Sequence, residues 1–205
     1  MRCLISLLIG YLLGSLNPAA LLGKTRHTDL RHTGTGNLGA TNTIIVMGKK
    51  LGLLVMALDI LKSFLAAKIA SWLFGDLEIA GYLAALGAVI GHIFSCFHHF
   101  HGGKGVAAFV GMILYYKPSF FLILAGMAIL LMLITNLGVV GPTSAAVLFP
   151  IFVYCDSRNL PVTMVCSCVT VLILYSHLIN IRKIKSGEEM PVKSFLRKVF
   201  PGRRR

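Results

Sequence analysis

The residues best suited to binding an anion are concentrated between positions 98 and 105, where two apolar segments meet. This stretch holds three histidines, three glycines and one lysine: His98, His99, His101, Gly102, Gly103, Gly105 and Lys104. Glycine has no Cβ, so backbone N–H groups in such a turn can approach a phosphate closely, and a lysine adds a point charge. The stretch indicates either a phosphate-binding turn at a membrane surface or a tight turn with a basic anchor. Because short Gly/Lys motifs are common, the stretch taken alone favours the second.

Two other polar stretches have the residue types to complete such a site. Residues 29–42 supply an arginine, hydroxyls, amides and three glycines, and their candidates for binding are Arg31, Thr35, Gly36, Asn37 and Asn42. Residues 177–188 begin with His177 and Asn180, which are three positions apart and therefore share one face of a helix. His92, shortly before the glycine turn, joins the candidates. Inward-facing polar side chains in a membrane protein are predicted to be functional.

Structural interpretations compete with these assignments. The histidines at positions 98, 99 and 101 could ligate a metal, but no carboxylate close in sequence completes a site, so an interfacial position is favoured and no metal is predicted. Asp59 and Lys62 lie three positions apart on a predicted helix and are most simply a pair that neutralises itself. Asn180 alone would more often form an interhelical hydrogen bond than a substrate contact.

The composition is that of an integral membrane protein. Hydrophobic residues make up 56% of the 205 residues and charged residues only 13%, and the apolar residues come in long runs. The formal net charge of +13 could indicate a nucleic-acid partner, but the cations cluster at the ends of the apolar runs. That distribution is typical of the cytoplasmic face and of contact with anionic lipid, so membrane lipids and not nucleic acid are the predicted partners.

The apolar runs predict an all-α polytopic membrane protein with about seven transmembrane helices. The predicted spans cover residues 3–22, 51–74, 79–97, 106–116, 119–134, 143–155 and 161–181. Gly14-Ser15 and Asn17-Pro18 interrupt the first span, and such a break is tolerated where other helices satisfy the freed backbone groups. The fourth and sixth segments are too short to cross a typical hydrocarbon core upright.

The distribution of cations predicts the orientation. One side carries residues 23–50, 98–105, 135–142 and the C-terminal segment, which together hold 15 Lys and Arg residues, and the other side holds Arg2, Lys117 and Arg158. We therefore expect the N-terminus outside and the C-terminus in the cytoplasm. A transmembrane domain at residues 1–181 is followed by a basic cytoplasmic tail at residues 182–205, with a short amphipathic helix near residues 192–200.

The three polar stretches, in this order and spacing, resemble the acyl-phosphate:glycerol-3-phosphate acyltransferases of the PlsY type. The first family motif is matched by Gly14-Ser15, Asp29-Leu30-Arg31 and Gly34-Thr35-Gly36-Asn37 through Asn42, and a further pattern by Asp59 and Lys62. The second motif is matched by Gly91-His92 and by Gly102 through Ala107, and the third by His177, Asn180, Gly187 and Glu188. The resemblance covers nearly the whole chain and includes the seven-helix layout.

The resemblance implies a reaction and a set of site residues. Members of that family move a fatty acyl group from acyl phosphate to the 1-hydroxyl of glycerol 3-phosphate, without a cofactor, at the cytoplasmic side of the bacterial inner membrane. The products are lysophosphatidic acid, for phospholipid biosynthesis, and phosphate. Carried onto this sequence, the catalytic residues are Lys104, His177 and Asn180, the substrate-binding residues are Arg31, Thr35, Gly36, Asn37, Asn42, His92, Gly102, Gly103 and Gly105, and the residues with a structural role near the site are Asp59, Lys62 and Glu188.

The sequence departs from the family pattern at several positions. Ile45 stands where the family usually has an arginine, Leu178 replaces the arginine after the histidine, and residues 135–141 lack another arginine and two hydroxyls. A charge-assisted contact to phosphate contributes about 1.5–3 kcal/mol, so these losses favour, as an alternative, a weakened member that binds phospholipid or phosphate ligands without turnover. A small transporter is a third hypothesis, but the sequence shows no internal repeat and its polar clusters fall at one membrane face.

Overall fold

The computed structural model describes residues 1–187 and 189–199, and these form an all-helical fold. Eleven α-helices lie within this part of the chain: α1 Arg2–Ser15, α2 Pro18–Thr25, α3 Ala40–Met47, α4 Lys49–Leu73, α5 Ala80–Ile93, α6 Val106–Tyr116, α7 Pro118–Thr135, α8 Val140–Ser157, α9 Leu160–Ser176, α10 Leu178–Lys185 and α11 Val192–Val199. A 3-10 turn, Cys96–His98, follows α5. The all-α class predicted from the sequence is confirmed.

Among the described residues, four helical stretches are long and apolar enough to cross a membrane: Arg2–Thr25, Ala80–His98, Pro118–Thr135 and Val140–Ser157. A fifth results if α9 and the first part of α10, which meet at an angle of 41°, count as one span. Helix α4 is 25 residues long but carries Asp59, Lys62 and Lys68, and α6 has only 11 residues. The seven predicted apolar segments are therefore helical, whereas the number of membrane spans and the orientation of the termini remain predictions.

Two segments differ from their predicted form. The sixth apolar segment, predicted to be short at residues 143–155, is an 18-residue helix, because α8 begins at Val140 and runs through Pro142. A proline in the first turn costs no hydrogen bond, since the first four N–H groups of a helix have no acceptor within it. The polar segment 23–50, which reads as a loop, contains α3, and this helix packs against α4.

The predicted break in the first helix is confirmed. Asn17 caps α2 by accepting a hydrogen bond of 2.8 Å from the backbone N–H of Ala20, and Pro18 occupies the first helical position. Side chains from α4 and from the segment after α5 satisfy the carbonyls freed at the break. Lys62 Nζ donates to the Leu16 carbonyl at 2.7 Å, and Ser95 Oγ donates to the Ser15 carbonyl at 2.6 Å.

Small residues bring α1 and α5 close together. A Cβ on Gly10 or Gly14 would overlap the backbone of Ala84 or Ala88, so only glycine allows this approach. The largest buried side chains, including Phe109 of α6, lie in a core formed mainly by α5, α6, α8 and α9. This core fixes the ends of α5, α6 and α9, where the polar stretches of the sequence lie.

The C-terminal segment folds back onto the helices. Helix α10 continues across residue 181, the boundary at which the tail was predicted to begin. Asn136, between α7 and α8, accepts hydrogen bonds from the backbone N–H of Val192 at its carbonyl (3.0 Å) and from that of Lys193 at Oδ1 (2.9 Å). The predicted amphipathic helix is present as α11 Val192–Val199 and packs against α3 and α7. Position 200 lies outside the described residues.

Candidate functional site

Lys104, Asn180 and Glu189 form a linked polar cluster where α6 begins and α10 passes. Lys104 Nζ donates a hydrogen bond of 2.5 Å to Asn180 Oδ1. Asn180 Nδ2 in turn donates to both carboxylate oxygens of Glu189, at 2.8 and 3.0 Å. Lys104 and Asn180 are 76 positions apart in the sequence, and they come into contact because the turn before α6 meets helix α10 here.

The charge of Lys104 is only partly balanced within the protein. Burial lowers the pKa of its half-buried ammonium, the carboxylate of Glu189 raises that pKa, and the nearby positive charge of Lys183 lowers it. Of the described residues, the ammonium groups of Lys104 and Lys183 and the carboxylate of Glu189 therefore supply the charges of this cluster. A cluster with an excess of positive charge and several N–H donors is suited to binding a phosphate.

The glycine turn is built against His92. The backbone N–H of Gly103 donates to the His92 carbonyl at 3.0 Å, and a Cβ on Gly103 would overlap the His92 ring. A Cβ on Gly102 would overlap the same carbonyl, and Gly105 begins α6 at φ +81°, a conformation that favours glycine. The N–H of Gly103 is therefore engaged within the protein, and the turn serves to present Lys104.

His177, at the junction of α9 and α10, is buried with a defined tautomer. Its Nδ1 lies 2.8 Å from the Ile173 carbonyl, which can only accept, so Nδ1 carries the hydrogen and Nε2 keeps a lone pair in the neutral ring. Its charged neighbours are Lys104 and Glu189. Ser176, the preceding residue, donates to the Lys104 carbonyl at 2.9 Å and ties this junction to the turn.

Asp59, Lys62 and His92 form a second polar group, in which the buried side chains face one another. Asp59 Oδ1 lies 2.7 Å from Lys62 Nζ and 3.3 Å from His92 Nδ1, and all three side chains are buried. His92, a predicted substrate ligand, is therefore directed towards Asp59 and under the glycine turn. The predicted structural role of Asp59 and Lys62 agrees with this geometry.

The loop at residues 29–42 is organised by Asn42. Its Nδ2 donates to the carbonyls of Leu30 (2.8 Å) and Thr33 (3.1 Å), and its Oδ1 accepts from the backbone N–H of Thr35 (2.7 Å). Asn42 is fully buried and positions the loop, whereas the other predicted ligands are exposed or half-buried on its surface: Arg31, Thr35, Gly36 and Asn37. The backbone N–H of Arg31 and the ring of His32 hold the pKa of Asp29 below its usual range.

His98 ends the 3-10 turn that follows α5 and is hydrogen-bonded to Ser95. Ser95 Oγ already donates to the Ser15 carbonyl, so it accepts the hydrogen of His98 Nδ1 at 3.0 Å. The positive charges of Arg31 and Lys62 both act on the half-buried His98 ring. Within the part of the chain that the structure describes, no group of three or more His, Cys, Asp or Glu side chains could hold a metal ion.

The sequence missed Glu189. The predicted residue, Glu188, lies outside the described residues, and the contact to Asn180 is made by its neighbour. Two adjacent glutamates after Gly187 give no basis for choosing between them, because the choice depends on how the chain turns after α10. Lys183 could have been predicted to lie near the cluster, because it is three positions after Asn180 and so shares its face of α10.

An apolar groove lies between the first half of α8 and the end of α9. Its volume is about 360 Å³, and it is lined by Val140, Thr143, Ser144, Val147, Leu148 and Leu174. Leu174 lies three positions before His177, one turn away along the chain. Both Thr143 and Ser144 turn their hydroxyls to carbonyls of their own helix, which leaves the groove a predominantly apolar surface.

Comparison with known proteins gives one consistent result. A family model described as glycerol-3-phosphate acyltransferase matches residues 4–187. A glycerol-3-phosphate acyltransferase of Lactiplantibacillus plantarum is 38% identical, with 92% of this chain and 91% of the relative covered, and that of Aquifex aeolicus is 36% identical, with 92% and 98% covered. A crystal structure of PlsY, an integral membrane glycerol 3-phosphate acyltransferase, in the glycerol 3-phosphate form is 32% identical with a TM-score of 0.86, covering 93% of this chain and 96% of that one. The lysophosphatidic acid form is 30% identical with a TM-score of 0.85 and coverage of 96% and 99%.

Proposed function

Because the chain belongs to the glycerol-3-phosphate acyltransferase family, we propose that it transfers a fatty acyl group from acyl phosphate to the 1-hydroxyl of glycerol 3-phosphate. The observation that carries the proposal is the Lys104–Asn180–Glu189 cluster beside His177. An ammonium held on an amide, with a second lysine nearby, offers charge-assisted hydrogen bonds to a phosphate. The relatives solved with glycerol 3-phosphate and lysophosphatidic acid support this choice of ligand.

The acyl chain of the second substrate lies in the apolar groove between α8 and α9. The groove is lined mainly by Val140, Val147, Leu148 and Leu174, which suits a hydrocarbon chain, and Leu174 places one end of it near His177. A chain bound there positions its acyl phosphate headgroup towards the polar cluster. Holding both reactants in this way supplies the proximity on which the transfer depends.

The chemistry consists of one acyl transfer. The oxygen of the 1-hydroxyl attacks the carbonyl carbon of acyl phosphate, the bond from that carbon to the phosphate oxygen breaks, and phosphate leaves with the electron pair. The proton of the hydroxyl passes to the departing phosphate or to Nε2 of His177, whose lone pair is free in the neutral tautomer. Lys104 and Asn180 bind and orient glycerol 3-phosphate, and Arg31 with Thr35 and Asn37 binds the acyl phosphate headgroup.

The site faces the cytoplasm of a bacterium, and the protein lies in its plasma membrane. This assignment rests on the distribution of cations. The segments around Lys24, Lys49, Lys104 and Lys193 lie on one side of the membrane in the predicted topology, and an excess of Lys and Arg is typical of the cytoplasmic side. Both substrates then reach the site from the expected sides: glycerol 3-phosphate from water and acyl phosphate from the bilayer.

A second candidate function is binding without turnover. Ile45, which replaces an arginine of the family pattern, is half-buried on the wall of a cavity of about 250 Å³ together with Ile44, Gly48, Lys49 and Val199. An isoleucine there supplies no charge to a phosphate. This observation favours a weakened member that retains only ligand binding.

Turnover distinguishes the two functions. Purified protein in detergent is mixed with palmitoyl phosphate and glycerol 3-phosphate, and lysophosphatidic acid and free phosphate are measured. We expect both products in equal amounts, a strong loss of activity in Lys104→Ala and Asn180→Ala, and wild-type activity in Lys24→Ala, which removes an exposed cation at the end of α2. A folded protein without turnover contradicts the acyltransferase proposal, and recovery of activity in Ile45→Arg then identifies the weakened member.

A further inference from the structure

Glu189 fixes which way the Asn180 amide points. A carboxylate accepts hydrogen bonds and cannot donate them, and both of its oxygens receive Asn180 Nδ2, at 2.8 and 3.0 Å. The Nδ2 group is therefore held on the Glu189 side, and Oδ1 is left to accept from Lys104 Nζ. A flipped amide would set the donors of Nδ2 against the donors of the ammonium.

We propose that Glu189 is a positioning residue that, through Asn180, holds the Lys104 ammonium ready to receive the phosphate of glycerol 3-phosphate. The identity of that ligand rests on the proposed function. Glu189 is itself anchored, because its backbone N–H donates to the Lys183 carbonyl at 3.2 Å and the segment after it is held by Asn136. The carboxylate therefore acts on Lys104 from a fixed position.

Within the described part of the chain, three charged or titratable groups surround Lys104. Glu189 faces it from the segment between α10 and α11, Lys183 from α10, and His177 from the junction of α9 and α10. Burial lowers the pKa of Lys104, the carboxylate of Glu189 raises it, and the charge of Lys183 lowers it. Because the ammonium exists only below its pKa, neutralising Glu189 makes Lys104 lose its charge at a lower pH, and neutralising Lys183 makes it lose its charge at a higher pH.

A purely structural role for Glu189 makes a different prediction. If the carboxylate only ties the segment after α10 to the helices, its replacement lowers thermal stability and activity at every pH. It then leaves the pH at which activity is lost unchanged. Opposite shifts from two neutral substitutions on either side of Lys104 are specific to the electrostatic role.

The test compares Glu189→Gln, Lys183→Gln and the control Glu78→Gln, an exposed glutamate in the turn before α5. Glutamine keeps an oxygen that accepts from Asn180, so the first variant tests the charge with the hydrogen bond retained. The pH dependence of kcat/KM for glycerol 3-phosphate is measured with palmitoyl phosphate in excess. We expect the loss of activity at high pH to move to lower pH in Glu189→Gln and to higher pH in Lys183→Gln, and to stay in place in Glu78→Gln. Unmoved profiles, or shifts in the same direction, overturn the proposal.

A second measurement separates this inference from the proposed function. Acetic anhydride modifies only the uncharged amine, so the extent of Lys104 acetylation against pH, read by mass spectrometry, reports the charge of Lys104 without turnover. Midpoints that move in opposite directions in the two variants support the positioning role even if palmitoyl phosphate is not consumed, in which case only the proposed reaction fails. Midpoints equal to that of wild type contradict the positioning role even if the enzyme is active.

Discussion

Lys62 and Lys104 are both withdrawn from solvent, yet the protein meets their charges in different ways. Lys62 Nζ lies 2.7 Å from the carboxylate of Asp59 and 2.7 Å from the Leu16 carbonyl. Lys104 Nζ contacts the neutral amide of Asn180, and the carboxylate of Glu189 lies behind that amide. Lys62 is paired directly with a carboxylate, whereas Lys104 is linked to a carboxylate only through a neutral amide.

This difference separates a structural cluster from a binding cluster. Asp59, Lys62 and His92 are the closed cluster, and Lys104, Asn180 and Glu189 are the open cluster. The Asp59 carboxylate pairs with Lys62 and lies 3.3 Å from His92 Nδ1, and Lys62 also donates to the Leu16 carbonyl at the break between α1 and α2. Among the residues that the structure describes, the charged neighbours of Lys104 are a second cation, Lys183, and one carboxylate, Glu189. A charge that is removed from water without a partner is unfavourable. An anionic ligand that pairs with the excess positive charge therefore stabilises the site.

Removing the carboxylate of the closed cluster gives the largest expected effect. Asp59→Ala leaves Lys62 buried and unpaired, and breaking a buried pair in this way costs about 3–5 kcal/mol. We expect a matching fall in the free energy of unfolding in detergent micelles. The double variant Asp59→Leu/Lys62→Met removes both charges and recovers much of that loss. A single variant as stable as wild type would contradict the closed cluster.

Removing the lysine of the open cluster affects function instead. Lys104→Met deletes a charge-assisted contact to phosphate worth about 1.5–3 kcal/mol, which corresponds to roughly a 10- to 150-fold fall in kcat/KM for glycerol 3-phosphate. Thermal stability remains close to wild type, because the change removes a charge that burial disfavours. Steady-state kinetics and thermal unfolding of the same preparation check both statements, and Lys24→Met is the matched control. A large loss of stability with kcat/KM unchanged would assign Lys104 to structure.

The closed cluster could be predicted from the sequence because its key pair is local. Asp59 and Lys62 are three positions apart on one helix, a spacing that brings them together whatever surrounds the helix, and their mutual neutralisation is confirmed. The break at Asn17-Pro18 is local in the same sense, since the cap and the proline lie next to each other. Patterns of this kind need no knowledge of tertiary contacts.

The open cluster depends on contacts between distant parts of the chain. Resemblance to a family pointed to Lys104 and Asn180, but their contact spans 76 positions, and the contact of Asn180 with Glu189 could not be predicted from the sequence. The predicted Glu188 lies outside the described residues. The resemblance to the family implies that His92 and Asn42 bind substrate. In the structure their side chains are buried against Asp59 and the loop backbone, which only the tertiary packing could reveal.

A single substitution gives Lys104 the kind of direct carboxylate partner that Lys62 has. Asn180→Asp sets a carboxylate directly against Lys104 Nζ and so imitates the pair at Lys62. We expect the ion pair to compete with phosphate and to raise the KM for glycerol 3-phosphate about tenfold, equivalent to about 1.4 kcal/mol. The new carboxylate also faces Glu189, so Asn180→Asp/Glu189→Gln removes the repulsion while keeping the neutralised lysine. An unchanged KM in both variants would show that the charge of Lys104 is not what receives the substrate.

The smallest effect is expected at the break between α1 and α2. There the neutral hydroxyl of Ser95 donates to one freed carbonyl, and Lys62 donates to the next. Ser95→Ala removes the donor to the Ser15 carbonyl and the acceptor of His98 Nδ1. An unsatisfied buried carbonyl costs about 1–3 kcal/mol, and we expect the lower end, because Lys62 still holds the adjacent Leu16 carbonyl. Thermal unfolding measures the loss, and Ser95→Thr, which keeps the hydroxyl, is the control. Since the break is joined to the closed cluster, the KM for glycerol 3-phosphate should stay within about twofold of wild type, and a larger rise would show that the two clusters are coupled.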